Sequence, residues 1–149
     1  MKEEIKKYTD DFFDKLISKF GFSVRKNIIS DKTYLREYVT ENYVIEIEKY
    51  HQEFYSSVFC LFNQDKKINL FNLLSFLKQN DSNIPESKFF RKEKNIEECY
   101  KMQLSHISNT IYDNLNLLDI FFSKNDYENN IHDLEIYWKS KYPELYRSR

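Results

Sequence analysis

The stretch that decides the fold runs from residue 22 to residue 62 and reads FSVRKNIISDKTYLREYVTENYVIEIEKYHQEFYSSVFCLF. Apolar residues recur in it with a period of two, and β-branched and aromatic residues dominate, a pattern typical of β-strands. The candidate strands cover residues 22–29, 33–40, 43–50 and 53–62. Their connections are too short for the crossover that parallel pairing needs, so the pattern predicts a four-stranded antiparallel meander. Tight turns are expected near Ser30-Asp31 and Glu41-Asn42.

The third and fourth of these strands differ in how they should meet the core. In the third strand Ile45 and Ile47 alternate with Glu46 and Glu48, which predicts one buried face and one solvated face. The fourth strand, EFYSSVFCLF, is apolar on both faces. We therefore expect it to lie deep or centrally in the sheet.

Helical spacing flanks the strand region on its N-terminal side. Residues 3–20 carry apolar side chains three or four positions apart, the pattern of an amphipathic helix. Gly21, the one glycine of the chain, follows the last of these positions. A glycine there predicts a C-terminal cap, because only glycine enters the left-handed conformation without a penalty from Cβ.

Three further helices are predicted after the strands. Asn69 is a suitable N-cap for a helix over 70–79. A stripe of apolar residues from Ile96 to Phe122 predicts a nearly straight helix of about 27 residues. The last helix has its stripe at Tyr127, Ile131, Leu134 and Trp138 and ends before Pro143, with Ser123 and Asp126 at the spacing of a capping box. Residues 80–94 have no clear period and are expected to form an exposed loop.

This order of elements predicts a single α+β domain over residues 1–149, with an N-terminal helix, a four-stranded antiparallel meander and three C-terminal helices packed on one sheet face. The first helix and the long helix are the natural candidates to cover the apolar face of the sheet. A chain of 149 residues is long enough to bury one such core.

Composition excludes several classes of function and suggests a compartment. A single glycine cannot build a phosphate-binding loop, a dinucleotide fingerprint or a nucleophile elbow. The first twenty residues carry ten charges, which excludes a secretory signal, and no uncharged run reaches the roughly 18 residues of a membrane span. We expect a cytoplasmic protein with no membrane contact and with Cys60 and Cys99 as buried, reduced thiols. The wealth of Lys, Asn, Ile, Phe and Tyr, with no Ala, indicates a low-GC genome.

One group of side chains could form a catalytic site at the end of the third strand. It comprises Glu46, Glu48, His51 and Glu53, in which His51 would act as a general base or a ligand. The alternative is a solvated strand face followed by a polar turn. His51, His106 and His132 have no partners at metal-binding spacing, so we expect no metal and no cofactor.

A second group is basic. Residues 63–94 carry seven positive and four negative charges, a net of +3, and the segment KFFRKEK places four cations beside two phenylalanines. These cations are Lys88, Arg91, Lys92 and Lys94. They could contact a phosphate backbone, but strong binders make about six to ten such contacts, and the alternative is a solvated loop. We therefore expect no nucleic acid partner.

The opposite charge is concentrated between residues 113 and 135, which hold six acids and one base, a net of −5. We expect this segment to bind a basic protein, with charge raising the rate of association and aromatic side chains anchoring the complex. The predicted partner-binding residues are Asp113, Asp119, Phe122, Asp126, Tyr127, Glu128, Asp133 and Glu135. The alternative is an acidic face with no dedicated partner.

The order of elements, the Leu117-Leu118 step near the end of the long helix and the capped last helix bearing Trp138 resemble the small bacterial proteins that confer immunity to polymorphic toxins. The resemblance covers architecture alone. It implies a non-catalytic antitoxin-like inhibitor that binds a toxin domain, such as a basic nuclease, and occludes its active site. The alternatives from the residues themselves are a small hydrolase or nuclease centred on His51, and a weak nucleic-acid-binding module using residues 88–94.

Overall fold

The strands of the meander pair in chain order, and every neighbouring pair is antiparallel. The computed structural model describes residues 2–30, 32–62 and 66–146, without the side chain of Tyr146. Within these residues the elements are α1 (Lys2–Ser18), β1 (Ser23–Ile29), β2 (Tyr34–Val39), β3 (Tyr43–Tyr50), β4 (Glu53–Cys60), β5 (Ile68–Asn69), α2 (Leu70–Leu77), α3 (Ile96–Phe121), α4 (Tyr127–Lys141) and a 3-10 helix (Pro143–Tyr146).

The predicted α+β class and the meander are confirmed, and one strand was missed. β5 pairs with β4 through only two residues, Ile68 and Asn69, too few to show a period in the sequence. In the second predicted turn the Thr40 N–H donates to the Tyr43 carbonyl at 3.0 Å. The first turn was expected at Ser30-Asp31, and Asp31 lies outside the described residues.

Helices α1 and α3 cover one face of the sheet, as the sequence predicted. Tyr34 of β2 is buried and donates its hydroxyl proton to Thr9 of α1 at 2.5 Å. The side-chain oxygen of Gln103 in α3 accepts a hydrogen bond from the backbone of Phe54 in β4 at 2.8 Å. Because the two helices are also joined to each other, through the Tyr112 hydroxyl on α3, they form one layer over the sheet.

The end of α1 and the start of α2 follow the predicted caps, and α3 has a cap that was not predicted. Gly21 has a φ of 79°, and the next residue, Phe22, donates its N–H to the Leu16 carbonyl at 2.9 Å. The side chain of Asn69 accepts hydrogen bonds from the first turn of α2. Asn95 does the same for α3, which begins at Ile96 as expected.

The last helix departs from the prediction in two ways. The expectation that all three C-terminal helices pack on the sheet is wrong for α4, which packs on α2 and the end of α3. The capping box is also wrong, because α4 begins at Tyr127 and Asp126 is its N-cap. The Ser123 hydroxyl instead donates to the Asp126 carboxylate at 3.2 Å, so the two side chains satisfy each other rather than the helix backbone.

Residues 80–94 contain no regular helix or strand, but they are fastened to the domain. The ring of Phe89 packs on Tyr55 of β4, and the imidazole of His106 lies 2.7 Å from the Glu86 carbonyl oxygen. Cys60 and Cys99 are buried and form no disulfide, as expected. In the part of the chain that the structure describes, no helix has the length and apolar character needed to cross a bilayer.

Candidate functional site

Three of the predicted acidic residues lie at one end of the molecule, where α3 ends and α4 begins. Asp119 is in the last turn of α3, Asp126 immediately precedes α4, and Glu128 is in the first turn of α4. All three are exposed. Asp119 accepts a hydrogen bond from the hydroxyl of Tyr43 at 2.7 Å, which joins this end of the helices to the start of β3.

The same contact ties the start of β3 to this region, and the turn before β3 carries a fourth carboxylate. Glu41 is exposed in the β2–β3 turn, two residues before Tyr43. Glu41 was not predicted from the sequence, because it is remote in the chain from the acidic segment and no local signal connects the two. We use the name acidic end for Glu41, Asp119, Asp126 and Glu128. Burial and the neighbouring Asp119 carboxylate both raise the pKa of Tyr43, so its hydroxyl keeps its proton and remains a donor.

The other predicted acids lie elsewhere or are already paired. Asp113 is roughly 120° around α3 from Asp119, since six residues of helix turn through about 600°, which is 120° short of two full turns. It lines a concavity beside Asn83 and Pro85. Asp133 is exposed further along α4. Glu135 forms an ion pair with Lys66 at 2.7 Å, and the hydrogen bond from Lys66 lowers the pKa of Glu135. The basic and acidic segments of the sequence therefore partly neutralise each other in the fold.

The two aromatic residues predicted as anchors are not on the surface. Phe122 is 0% exposed and Tyr127 is 4% exposed, and their rings stack on each other. Phe122 also stacks on Tyr43 at 4.9 Å. Phe122 and Tyr127 both continue the apolar stripes of their helices, so their side chains are packed in the core. A surface anchor at these positions is thus excluded.

Two other apolar side chains of this region are exposed instead. Ile120 is 56% exposed and stands next to Asp119, because a residue two positions after Leu118 points away from the buried stripe. Phe62 is 58% exposed and follows the end of β4, with the ammonium of Lys124 5.7 Å from its ring centroid. Helical periodicity alone could have assigned Ile120 to the surface, but its place beside the acidic end needs the fold.

The candidate catalytic group around His51 does not come together. His51 occupies the tip of the β3–β4 hairpin with a φ of 56°, and its ring packs against Tyr50. Glu53 is bound to Arg91 at 2.5 Å. Glu46 and Glu48 do share the outer face of β3, but the carboxylate of Glu46 is bound to Lys67 at 2.8 Å. These groups belong to separate ion pairs and surfaces.

The outer face of the sheet holds a pair of buried carboxylates. Glu37 of β2 stands directly opposite Glu46 of β3, and the two residues are 2% and 4% exposed. The prediction that Glu46 faces solvent is therefore wrong. Arg25 lies 3.1 Å from Glu37, and both Arg25 and Lys67 extend over the ring of Phe59. These two long cationic side chains cover the face that no helix covers.

The two carboxylates of this pair have different cationic partners, and the pKa of Glu37 is raised. Burial raises the pKa of Glu37, and a hydrogen bond with Glu46 raises it further, while Arg25 opposes both. Two carboxylates at such a short distance cannot both ionise at low cost. Because two cations balance the pair and Phe59 fills the space beneath it, the cluster closes the outer face of the sheet.

The basic segment is only partly available to a ligand. Arg91 is bound to Glu53 and lies over the ring of Phe89. The phenylalanines that could have stacked on bases are half-buried against the protein, Phe89 on Tyr55 and Phe90 near His106. Lys88, Lys92 and Lys94 remain exposed.

Residues 2–30, 32–62 and 66–146 contain no group of three or more His, Cys, Asp or Glu side chains that could hold a metal ion. Comparisons with protein-family models, with curated proteins and with solved structures found no match.

Proposed function

We propose that this chain is a non-catalytic binding protein that docks a basic protein domain through its acidic end. In the form that the sequence resemblance suggests, the partner is a toxin domain, and the chain is a cytoplasmic immunity protein that occludes its active site. The observation that carries the proposal is that the carboxylates of the acidic end are available to a partner. Its four carboxylates are exposed, and none forms an ion pair with a described cationic side chain.

Such a surface suits association with a basic domain for two physical reasons. Carboxylates that lie at one end and have no cationic partner among the described residues raise the rate of encounter with a positive surface and select against acidic partners. Charge alone supplies little affinity in water, so a stable complex also needs apolar contacts that exclude solvent. Ile120 is exposed, follows Asp119 in the chain and can supply such a contact.

The first experiment identifies the partner and its fate. The tagged chain is expressed in its native cell, co-purifying polypeptides are identified by mass spectrometry, and the pair is reconstituted from purified components. A basic toxic domain whose activity falls to zero at equimolar chain supports the proposal. A partner whose activity is unchanged by the bound chain, or turnover of a substrate by the chain itself, overturns it.

The second experiment locates the interface on the reconstituted pair. In the triple variant Asp119→Asn, Asp126→Asn and Glu128→Gln, three charges are removed while each side chain can still accept hydrogen bonds, including the one from Tyr43. We expect the affinity for the partner to fall about tenfold or more, with the larger loss at low salt. Asp133→Asn, an exposed acid further along α4, is the control and should leave the affinity unchanged. Equal affinity of the triple variant and the wild type would move the interface elsewhere.

A further inference from the structure

A small cavity opens at the opposite end of β3 from the acidic end. Its volume is about 180 Å³, and it lies where the β1–β2 turn, the end of β3, the start of α1 and the first turns of α3 meet. Tyr43 and Lys49 mark the two ends of β3, roughly 20 Å apart at the rise of a β-strand. The cavity is therefore separate from the acidic end, and its ligand is independent of the proposed partner.

Three lysines line this cavity, and no carboxylate is among the described residues that line it. They are Lys2 of α1, Lys32 of the β1–β2 turn and Lys49 of β3. None of the three forms an ion pair with a described carboxylate. Three positive charges converging on one concavity repel each other, and an anion placed among them would relieve that repulsion.

Among the three lysines, Lys49 has the environment in which a bound anion would be most stabilising. Its side chain is half-buried, and its ammonium lies 5.3 Å from the ring centroid of the buried Tyr100. Burial lowers the pKa of Lys49, which reflects the cost of removing an ammonium from water. A bound anion would offset that cost.

Neutral donors and a helix end complete the lining. Ser30 and Thr33 place two hydroxyl groups in the β1–β2 turn. The Ser30 oxygen accepts from the Thr33 N–H at 3.0 Å, and its hydroxyl makes only a long contact of 3.5 Å to the Thr33 carbonyl, which an anion can replace. Lys2 and Ile5 bring the first turn of α1 to the cavity, and the N-terminal turn is the positive end of the helix dipole. Glu3 and Glu4 belong to the same turn but do not line the cavity.

We propose that this cavity binds the phosphoryl group of a small molecule. A phosphoryl group carries up to two negative charges and three acceptor oxygens, which match three ammonium groups and two hydroxyls better than a singly charged carboxylate does. The cavity offers no platform for a nucleobase, because Lys49 covers the Tyr100 ring and the Tyr34 hydroxyl is engaged with Thr9. The phosphoryl group is thus the part of the ligand that is recognised.

The test is a titration of the full chain with inorganic phosphate, followed by NMR of the lysine side chains and by calorimetry. We expect saturable binding with a Kd below about 10 mM. The NMR signals of the Lys49 side chain should shift first as phosphate is added. Lys49→Met keeps the length and apolar stem of the side chain and should weaken binding about tenfold or more, the value of one charge-assisted hydrogen bond. Lys94→Met, in the exposed loop, is the matched control and should change the affinity by less than about twofold.

Each of the other outcomes overturns the proposal. These are no saturable binding by the wild type, equal affinity of Lys49→Met and wild type, or shifts confined to lysines outside the cavity. If Lys49→Met unfolds, Lys32→Met in the exposed turn takes its place and should weaken binding in the same way.

Two further arms identify the ligand class and separate this site from the proposed interface. Adenosine monophosphate should bind no more than about tenfold tighter than inorganic phosphate, since a base finds no stacking surface, and a larger gain overturns recognition through the phosphoryl group alone. The triple variant of the acidic end should bind phosphate as the wild type does. Failure at either site therefore leaves the other site testable.

Discussion

The folded chain holds the carboxyl group of Glu37 in its neutral form more strongly than the unfolded chain does. Burial and the hydrogen bond with Glu46 raise its pKa above the ordinary value of 4.5. For an acid whose folded pKa is raised, the folded state binds more protons, so Glu37 destabilises the fold as the pH rises above 4.5. The penalty is complete once the pH exceeds the folded pKa and is absent well below 4.5.

We therefore expect Glu37→Gln to increase the free energy of unfolding at pH 7 and to have little effect at pH 4. Gln keeps the shape of the side chain and a hydrogen bond to Glu46 but removes the charge whose burial is costly. Urea unfolding at both pH values measures the difference. Glu48→Gln, on the same outer face but exposed, is the control. A Glu37→Gln variant that is less stable than the wild type at pH 7 would mean that the ion pair with Arg25 outweighs the repulsion.

Single residues were predictable from the sequence where their neighbours in the chain decide their environment. Ile45 and Ile47 are buried because strand alternation places them on the helix-covered face. Glu46 obeys the same alternation, yet it is buried by Lys67, which reaches it from a different part of the chain. Alternation determines which face a side chain takes, whereas the cover over that face comes from tertiary contacts.

At the scale of elements, Gly21 fixes where α1 ends. Its φ of 79° lies in the left-handed region, and an added Cβ would meet no atom within 4 Å. The cost of a side chain is therefore purely a backbone cost, and Gly21→Ala should lower the free energy of unfolding by about 1 kcal/mol. Gly21→Asn should cost less, since Asn enters this region more readily. Urea unfolding of both variants measures the difference; an equal or larger loss for Asn would contradict the backbone argument.

Elements with a long apolar stripe or a side-chain cap were predictable, and those defined by a distant partner were not. The apolar stripe of α3 and the cap at Asn95 are both contained in the local sequence. The predicted ends of α3 therefore agree with the observed ends to within one residue. β5 consists of two residues that are a strand only because β4 lies beside them. The start of α4 was misplaced because Ser123 has the right spacing for a cap but bonds to a side chain instead.

At the scale of the whole molecule, charge is distributed between the two ends of β3. The acidic end gathers residues from the β2–β3 turn, α3 and α4, and the lysine cavity gathers residues from α1, the β1–β2 turn and β3. No single sequence window could reveal either group in full, because each draws on segments far apart in the chain. The window from 113 to 135 did identify Asp119, Asp126 and Glu128, whereas its other acids are dispersed by helix rotation or paired with Lys66.

The end of α3 allows stability and binding to be separated within three residues. Phe122 is fully buried between Tyr43 and Tyr127, so Phe122→Ala removes core packing and should lower the free energy of unfolding by about 3–5 kcal/mol. Ile120 is exposed, so Ile120→Ala should change stability by less than about 0.5 kcal/mol. If the acidic end is the docking surface, Ile120→Ala nonetheless weakens binding of the reconstituted partner, because its side chain is the apolar contact there. Urea unfolding and calorimetric titration of the same Ile120→Ala sample decide the matter: a stable variant that binds as the wild type does would remove Ile120 from the interface.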